Sequence, residues 1–176
     1  VRIMMYKLYL LLFALVSFLF LKSQEIQQPF SGNGRLIHSL NGEDWELVSA
    51  RPGVGEAQGF YNNGYPQKSI IPAKVPGDIH WDLERAGELP DLFIAMNAKQ
   101  AYELPLREWW YRKSFVVADA WRHKQMRLHF AAVDYATKIW INGKYLGRHE
   151  GQFTPFEFDV TDKVKIGELN ELIILI

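Results

Sequence analysis

The stretch Leu128–His149, LHFAAVDYATKIWINGKYLGRH, carries the strongest local instruction in the chain, an Asn142-Gly143 pair with alternating residues on both sides. Asn-Gly favours a type I′ turn because both central residues must reach positive φ. Thr137, Ile139 and Ile141 point one way, and Ala136, Lys138 and Trp140 the other. This is a β-hairpin. A two-stranded hairpin is marginal in water, so the rest of the chain has to supply a sheet around it.

The remaining strands follow the same logic. Trp109–Val117 alternates, with Trp109, Tyr111, Lys113 and Phe115 on one face and Trp110, Arg112, Ser114 and Val116 on the other. Arg127–Val133 is expected as a strand with Leu128, Phe130 and Ala132 inward, and Thr154–Val160 as a half-buried strand. Lys163–Asn170 reads as a turn centred on Gly167, and Glu171–Ile176 as a final apolar strand. Arg35–Leu40 and Trp45–Val48 read as one or two short edge strands. Asp78–Gly87 is the one helical signal: Asp78 suits an N-cap, Ile79, Leu83 and Ala86 share a stripe, and Gly87 suits a stop. About eight short strands with one short helix predict an all-β, two-sheet sandwich.

The N-terminus has a different character. Basic Arg2 and Lys7 precede an apolar run, Leu8–Leu21, and then Lys22-Ser23-Gln24. Residues 1–23 are expected to form a signal peptide, with an uncleaved anchor as the alternative, and 24–34 a linker. Residues 35–176 form the expected domain, of a size that buries roughly two-thirds of its unfolded surface without a staple. The protein is therefore expected to be exported, to the periplasm or the extracellular space, with no stable membrane partner after cleavage. There is no Cys, which excludes thiol nucleophiles and thiolate metal sites. Losing Arg2, Lys7 and Lys22 leaves 17 basic against 20 acidic residues, with no basic block to track a phosphate backbone. Nucleic acid is not an expected partner.

The residues give no catalytic constellation. His38, His80, His123, His129 and His149 have no metal-ligand spacing. No Gly-x-Ser-x-Gly elbow occurs, and Gly53-Val54-Gly55 lacks the third glycine of a dinucleotide fingerprint. Asp78/Asp82 and Glu84/Glu88 are four apart on one helix face, whereas glycosidase carboxyls flank a sugar roughly 5–5.5 or 6.5–9.5 Å apart. Capping and solubility explain those pairs. Asp134 is open to three roles: closing a turn, receiving Arg112, or contacting a ligand. Six Trp, together with Phe60, Tyr61 and Tyr65 in the Gly-, Asn- and Pro-rich stretch Arg51–Gln67, suit either a packed core or a sugar-stacking platform. Pinning that loop onto its own domain is the expected role. No residue is assigned a catalytic, cofactor-binding or metal-binding role, and no cofactor is expected.

An ordered set of segments resembles the N-terminal domain of glycoside hydrolase family 2, nearest its beta-mannosidase-like branch. They are Val75-Pro76-Gly77-Asp78-Ile79-His80-Trp81-Asp82-Leu83, Gly87-Glu88-Leu89-Pro90-Asp91, Trp110-Tyr111-Arg112-Lys113-Ser114-Phe115, Asp134-Tyr135-Ala136, Ile141-Asn142-Gly143 with Leu146-Gly147, and Gly151-Gln152-Phe153-Thr154-Pro155-Phe156. The resemblance implies a galactose-binding-like jelly roll with one or two short helices. It also implies a retaining exo-glycosidase whose two catalytic glutamates lie on a barrel beyond Ile176. This segment would then scaffold and rim the active site, and pack against a missing β-sandwich and barrel. Its carbohydrate substrate would be met through the missing catalytic domain. Two departures, Asp91-Leu92-Phe93 and the Trp-free Gln100–Arg107, weaken the mannoside assignment and keep beta-galactosidase and beta-glucuronidase chemistry open. A free-standing carbohydrate-binding jelly roll is the alternative from another class, and a structural domain of a non-enzymatic adhesin a third.

Overall fold

A computed structural model describes residues 36–176. The expected signal peptide and linker lie outside these residues. The chain divides into two units, Val1–Ser39 and Leu40–Ile176, and the strands and helices among the described residues belong to the second. Among the described residues no helix is long and apolar enough to cross a membrane.

Eight strands form the unit: β1 (Gly42–Ala50), β2 (Ile71–Val75), β3 (Glu108–Val116), β4 (Arg127–Phe130), β5 (Ala136–Ile141), β6 (Lys144–Glu150), β7 (Phe156–Asp159) and β8 (Leu169–Leu175). Two short helices interrupt them, α1 (Val54–Gln58) and α2 (Ile79–Arg85), with 3-10 runs at Asn97–Leu106 and Asp119–Trp121. Six strands make one antiparallel sheet in the order β2-β1-β3-β8-β5-β6, and β4 and β7 pair as a second, smaller sheet. The architecture is a β-sandwich, as the strand spacing predicts, and of the galactose-binding jelly-roll kind that the family resemblance implies.

The alternation on the strands places two cores, one on each face of the large sheet. Trp45, Leu47, Trp109, Tyr111, Phe115, Ile139, Ile141, Leu172 and Ile174 pack on the inner face, with Leu128, Phe130, Phe156 and Phe158 of the small sheet against them. Val48, Trp110, Trp140, Ile173 and Leu175 pack on the outer face with Phe60 and Tyr65. The final apolar run is continuous because β8 is central and buried on both sides. The Asn142-Gly143 turn has φ of 50° and 76° at its two residues. Asn142 does more than turn: its Nδ2 donates to Lys163 O (2.8 Å) and Asn170 Oδ1 (2.9 Å), and its Oδ1 accepts from Glu171 N (3.0 Å). The hairpin tip is thereby tied to the turn that feeds the central strand.

Three expectations need correction. No strand forms at residues 36–41, and β1 lies inside the sheet, with β2 at the edge. Pro72, opposite Glu46, cannot donate to a further strand, which suits β2 to that edge. β4 stops at Phe130, and Ala132 is exposed, because residues 131–135 carry the chain across from the small sheet to the large one.

Candidate functional site

The aromatic loop that follows β1 is where the sequence offers a sugar platform. It folds back onto the outer face of the large sheet. Phe60 meets Trp110 edge-on at 5.5 Å, and Tyr61 stacks on Trp140 at 5.4 Å and 13°. Trp110 and Trp140 stack on each other at 5.4 Å. Trp110 is 0% and Trp140 4% exposed, so neither indole offers a face to a ligand. The loop is pinned to its own domain.

Glu108, the first residue of β3, holds it there. Its carboxylate accepts from Gly53 N (2.8 Å), Gly55 N (2.6 Å) and Trp110 Nε1 (3.0 Å). Gly53, in the left-handed conformation at φ 80°, has no side chain to cap α1, and Glu108 supplies the acceptor from another element. Gly55 lies so close to Trp110 that a Cβ there would overlap the indole. Tyr65 donates to Trp110 O (3.0 Å), and burial holds its hydroxyl far above the usual phenol range. Arg112 lies 4.2 Å over the Tyr65 ring, its Nε bonded to Glu46 Oε2 (2.6 Å), and Lys138 reaches Glu56 of α1 (2.6 Å). No motif in the sequence marks Glu108. Its only signal is a carboxylate opening a strand whose next three residues are aromatic.

The helical carboxylates play separate roles. Asp78 caps α2 by accepting from His80 N (2.8 Å). Asp82 does not lie on a solvated face, as its spacing suggests. It is fully buried, accepting from Lys74 N (3.2 Å) on the sheet edge and from Arg85, while its Oδ2 has no partner. Burial pushes this carboxyl above its ordinary range, against the pull of the Lys74 N–H and Arg85. The pair works in capping and docking.

Two exposed surfaces stand out among the described residues. Loop residues 131–135 and 151–155 are joined by Gly151 N to Tyr135 O (2.9 Å) and Gln152 Nε2 to Asp134 Oδ2 (2.9 Å), with Tyr135 62% and Phe153 82% exposed beside them. Asp134 therefore closes a loop contact, and Arg112 pairs elsewhere. The second surface is the segment after Asp91, where Phe93 (86% exposed), Ile94 and Met96 project outward. Asp91 fixes that segment by accepting from Phe93 N at Oδ1 (2.8 Å) and from Asn97 Nδ2 at its carbonyl (2.9 Å). His149 is taken up in packing, stacked on Phe156 at 4.0 Å. Among the described residues no group of three or more His, Asp or Glu is placed to hold a metal ion.

Known proteins resemble this chain in sequence and in fold. The family model described as glycosyl hydrolase 2 galactose-binding domain-like matches residues 57–176. The beta-galactosidase of Thermoanaerobacter pseudethanolicus is 42% identical over 64 residues, 36% of this chain and 9% of that protein. The beta-glucuronidase of Paenibacillus borealis is 31% identical over 142 residues, 81% of this chain and 21% of that protein. The solved beta-D-mannosidase from Dictyoglomus thermophilum superposes with a TM-score of 0.65 at 30% identity, over 78% of this chain and 15% of that chain. The matched stretch thus spans between 9% and 21% of the length of the two curated relatives.

Proposed function

The chain belongs to the glycosyl hydrolase 2 galactose-binding domain-like family, and from that membership we propose that it is the non-catalytic, N-terminal ordering domain of a larger retaining exo-glycosidase. The carrying observation is the closed aromatic platform. The rings that would stack on a sugar are spent on the domain's own loop, and the buried carboxylates Glu108 and Asp82 hold structural contacts. The reaction then belongs to residues outside this chain, and the family resemblance supplies two glutamates on a barrel for it. The loops carrying Tyr135 and Phe153 are the surface offered to that site's rim, since an exposed aromatic beside an amide and a carboxylate suits a sugar ring. We rank beta-galactoside and beta-glucuronide ahead of beta-mannoside. A galactosidase stands among the curated relatives at 42% identity, and the departures at Asp91-Leu92-Phe93 and Gln100–Arg107 weaken the mannoside reading, whereas identity alone, 31% to a glucuronidase and 31% to a mannosidase, does not separate those two. Export follows from the Leu8–Leu21 run and belongs to the same proposal.

The test compares the full-length gene product with the 176-residue chain on p-nitrophenyl beta-galactoside, beta-glucuronide and beta-mannoside. Turnover by the full-length protein on the first or second, with none by the chain alone, is expected. Turnover by the chain would end the proposal, and activity on mannoside alone would reverse the ranking. Saturable calorimetric binding of a free sugar to the chain would favour a carbohydrate-binding module instead.

A further inference from the structure

The Asn-Gly pair that turns the hairpin has a chemical weakness as well as a conformational use. Glycine carries no Cβ to shield its own backbone nitrogen, so that nitrogen can attack the side-chain amide of the Asn before it. The sequence holds four such pairs, Asn33-Gly34, Asn41-Gly42, Asn63-Gly64 and Asn142-Gly143, and the first lies outside the described residues. The fold treats the other three differently.

Asn142 is held at the atoms the reaction must move. Its side-chain carbonyl carbon has to swing onto Gly143 N, and Nδ2 has to leave. Yet Nδ2 donates to Lys163 O (2.8 Å) and Asn170 Oδ1 (2.9 Å), while Oδ1 accepts from Glu171 N (3.0 Å). Asn170 is itself fully buried. Swinging the Asn142 amide breaks all three bonds at once and strips a buried partner. Asn41-Gly42 opens β1, where Gly42 stands opposite Val75 of β2, and the ladder restrains its backbone.

Asn63-Gly64 lacks both restraints. It lies in the turns after α1, in the loop that covers the outer face, and both residues are exposed. Among the described residues none bonds the Asn63 side chain. The reacting nitrogen makes one hydrogen bond, from Gly64 N to Gly59 O at 3.1 Å. The fold also demands glycine here, because a Cβ on residue 64 would stand 1.9 Å from Gln58 O. An unshielded nitrogen after Asn63 is therefore built into this loop.

We propose that Asn63 is the deamidation site of the folded domain, and that the bonds on the Asn142 amide protect the hairpin from the same reaction. Gly64 N gives up its proton and bonds to Cγ of Asn63. The Cγ–Nδ2 bond breaks, and Nδ2 leaves with that proton as ammonia. Water then opens the cyclic imide at one of its two carbonyls. Opening at the backbone carbonyl gives isoaspartate, with the chain rerouted through Cγ, and opening at Cγ gives aspartate. Either product places a carboxylate two residues from Tyr61, whose ring covers Trp140. The loop over the tryptophans thus carries a time-dependent change of charge.

Peptide mapping of the 176-residue chain, stored in mildly alkaline buffer with and without urea, tests this. Conversion makes a peptide heavier by the difference between water and ammonia, and fragment ions assign it to residue 41, 63 or 142. In urea the three sites should convert at similar rates. In buffer Asn63 should outpace Asn142 by about tenfold or more, since Asn142 reacts only when its bonds open. Asn63→Gln should abolish the fast conversion and leave the slow one at Asn142 unchanged. Equal rates at Asn63 and Asn142 in buffer overturn the proposal. So does conversion of Asn63 in urea alone, or a faster conversion at Asn41 than at Asn63 in buffer.

Discussion

Removing the Glu108 carboxylate should release the aromatic loop and cost a large part of the domain's stability. In Glu108→Ala three donors lose their acceptor: Gly53 N, Gly55 N and Trp110 Nε1. Gly55 N and the indole are buried, whereas water can reach Gly53. At about 2 kcal/mol for each buried donor left unpaired, the loss is about 4 kcal/mol, a sizeable share of the roughly 5–15 kcal/mol that holds a typical domain. The midpoint should fall by about 12 °C for a domain of this size. Glu108→Gln separates the charge from the geometry. The amide oxygen can keep Gly55 and Trp110, while its NH2 faces the Gly53 N–H, so the cost should be about 1–2 kcal/mol. Urea unfolding followed by Trp fluorescence measures both values. Limited trypsin digestion at Lys68, which is exposed at the end of the loop, should quicken in the alanine variant first. An alanine variant within about 0.5 kcal/mol of wild type, or one equal to the glutamine variant, would refute the assignment of Glu108 as the loop's anchor.

Three further perturbations probe the close contacts and the buried acid. Gly55→Ala puts a methyl group into the Trp110 indole, and should destabilise by about 2–3 kcal/mol with altered near-UV dichroism from the stacked tryptophans. Gly147→Ala pushes on Phe158 where β6 meets β7, and should cost about 1–3 kcal/mol in urea unfolding while leaving the outer-face tryptophan signal unchanged. Asp82 gives a pH signature: its folded pKa is raised, mainly by burial, so its favourable contribution is full below its ordinary value near 3.8 and is lost as pH climbs through the folded value. Asp82→Asn should therefore lose stability less steeply than wild type as pH rises above that point. Identical pH slopes for the two proteins would refute the buried-acid account. Arg85 and Asp78 also act on this carboxyl, and taking the difference between the two proteins isolates the contribution of residue 82.

The fold is readable in the sequence because its code is local. The Asn142-Gly143 turn, the two-residue alternation around it and the Asp78 cap each act within a few residues, and each appears where expected. Trp109–Val116 divides between the two faces as its alternation requires, since side chains on a strand must alternate. Edge position is less legible. β1 carries Glu43, Asp44 and Glu46, charges that suit an edge strand, yet it lies inside the sheet, and only Pro72 hints that β2 is outermost. The end of β4 is not legible at all, because an apolar Ala-Ala-Val run looks alike whether it continues a strand or crosses between sheets.

Sequence alone thus determined a β-sandwich, the Asn142-Gly143 turn of its hairpin and the resemblance to a glycoside hydrolase family, while the register of that hairpin shifts at a bulge between Ile139 and Trp140. Tertiary structure decided what the aromatic residues are for. Tyr61, Trp110 and Trp140 would look the same in a ligand platform, and only the fold brings Tyr61 onto Trp140 and closes the stack. It also decided the roles of two carboxylates. Glu108 meets donors 53 and 55 residues away, and Asp82 turns inward from a helix face that its spacing places in solvent. Alternation and turn chemistry are properties of neighbouring residues, so they survive in a linear string. Burial and hydrogen-bond satisfaction depend on partners far along the chain, and the chain has to fold before those partners exist.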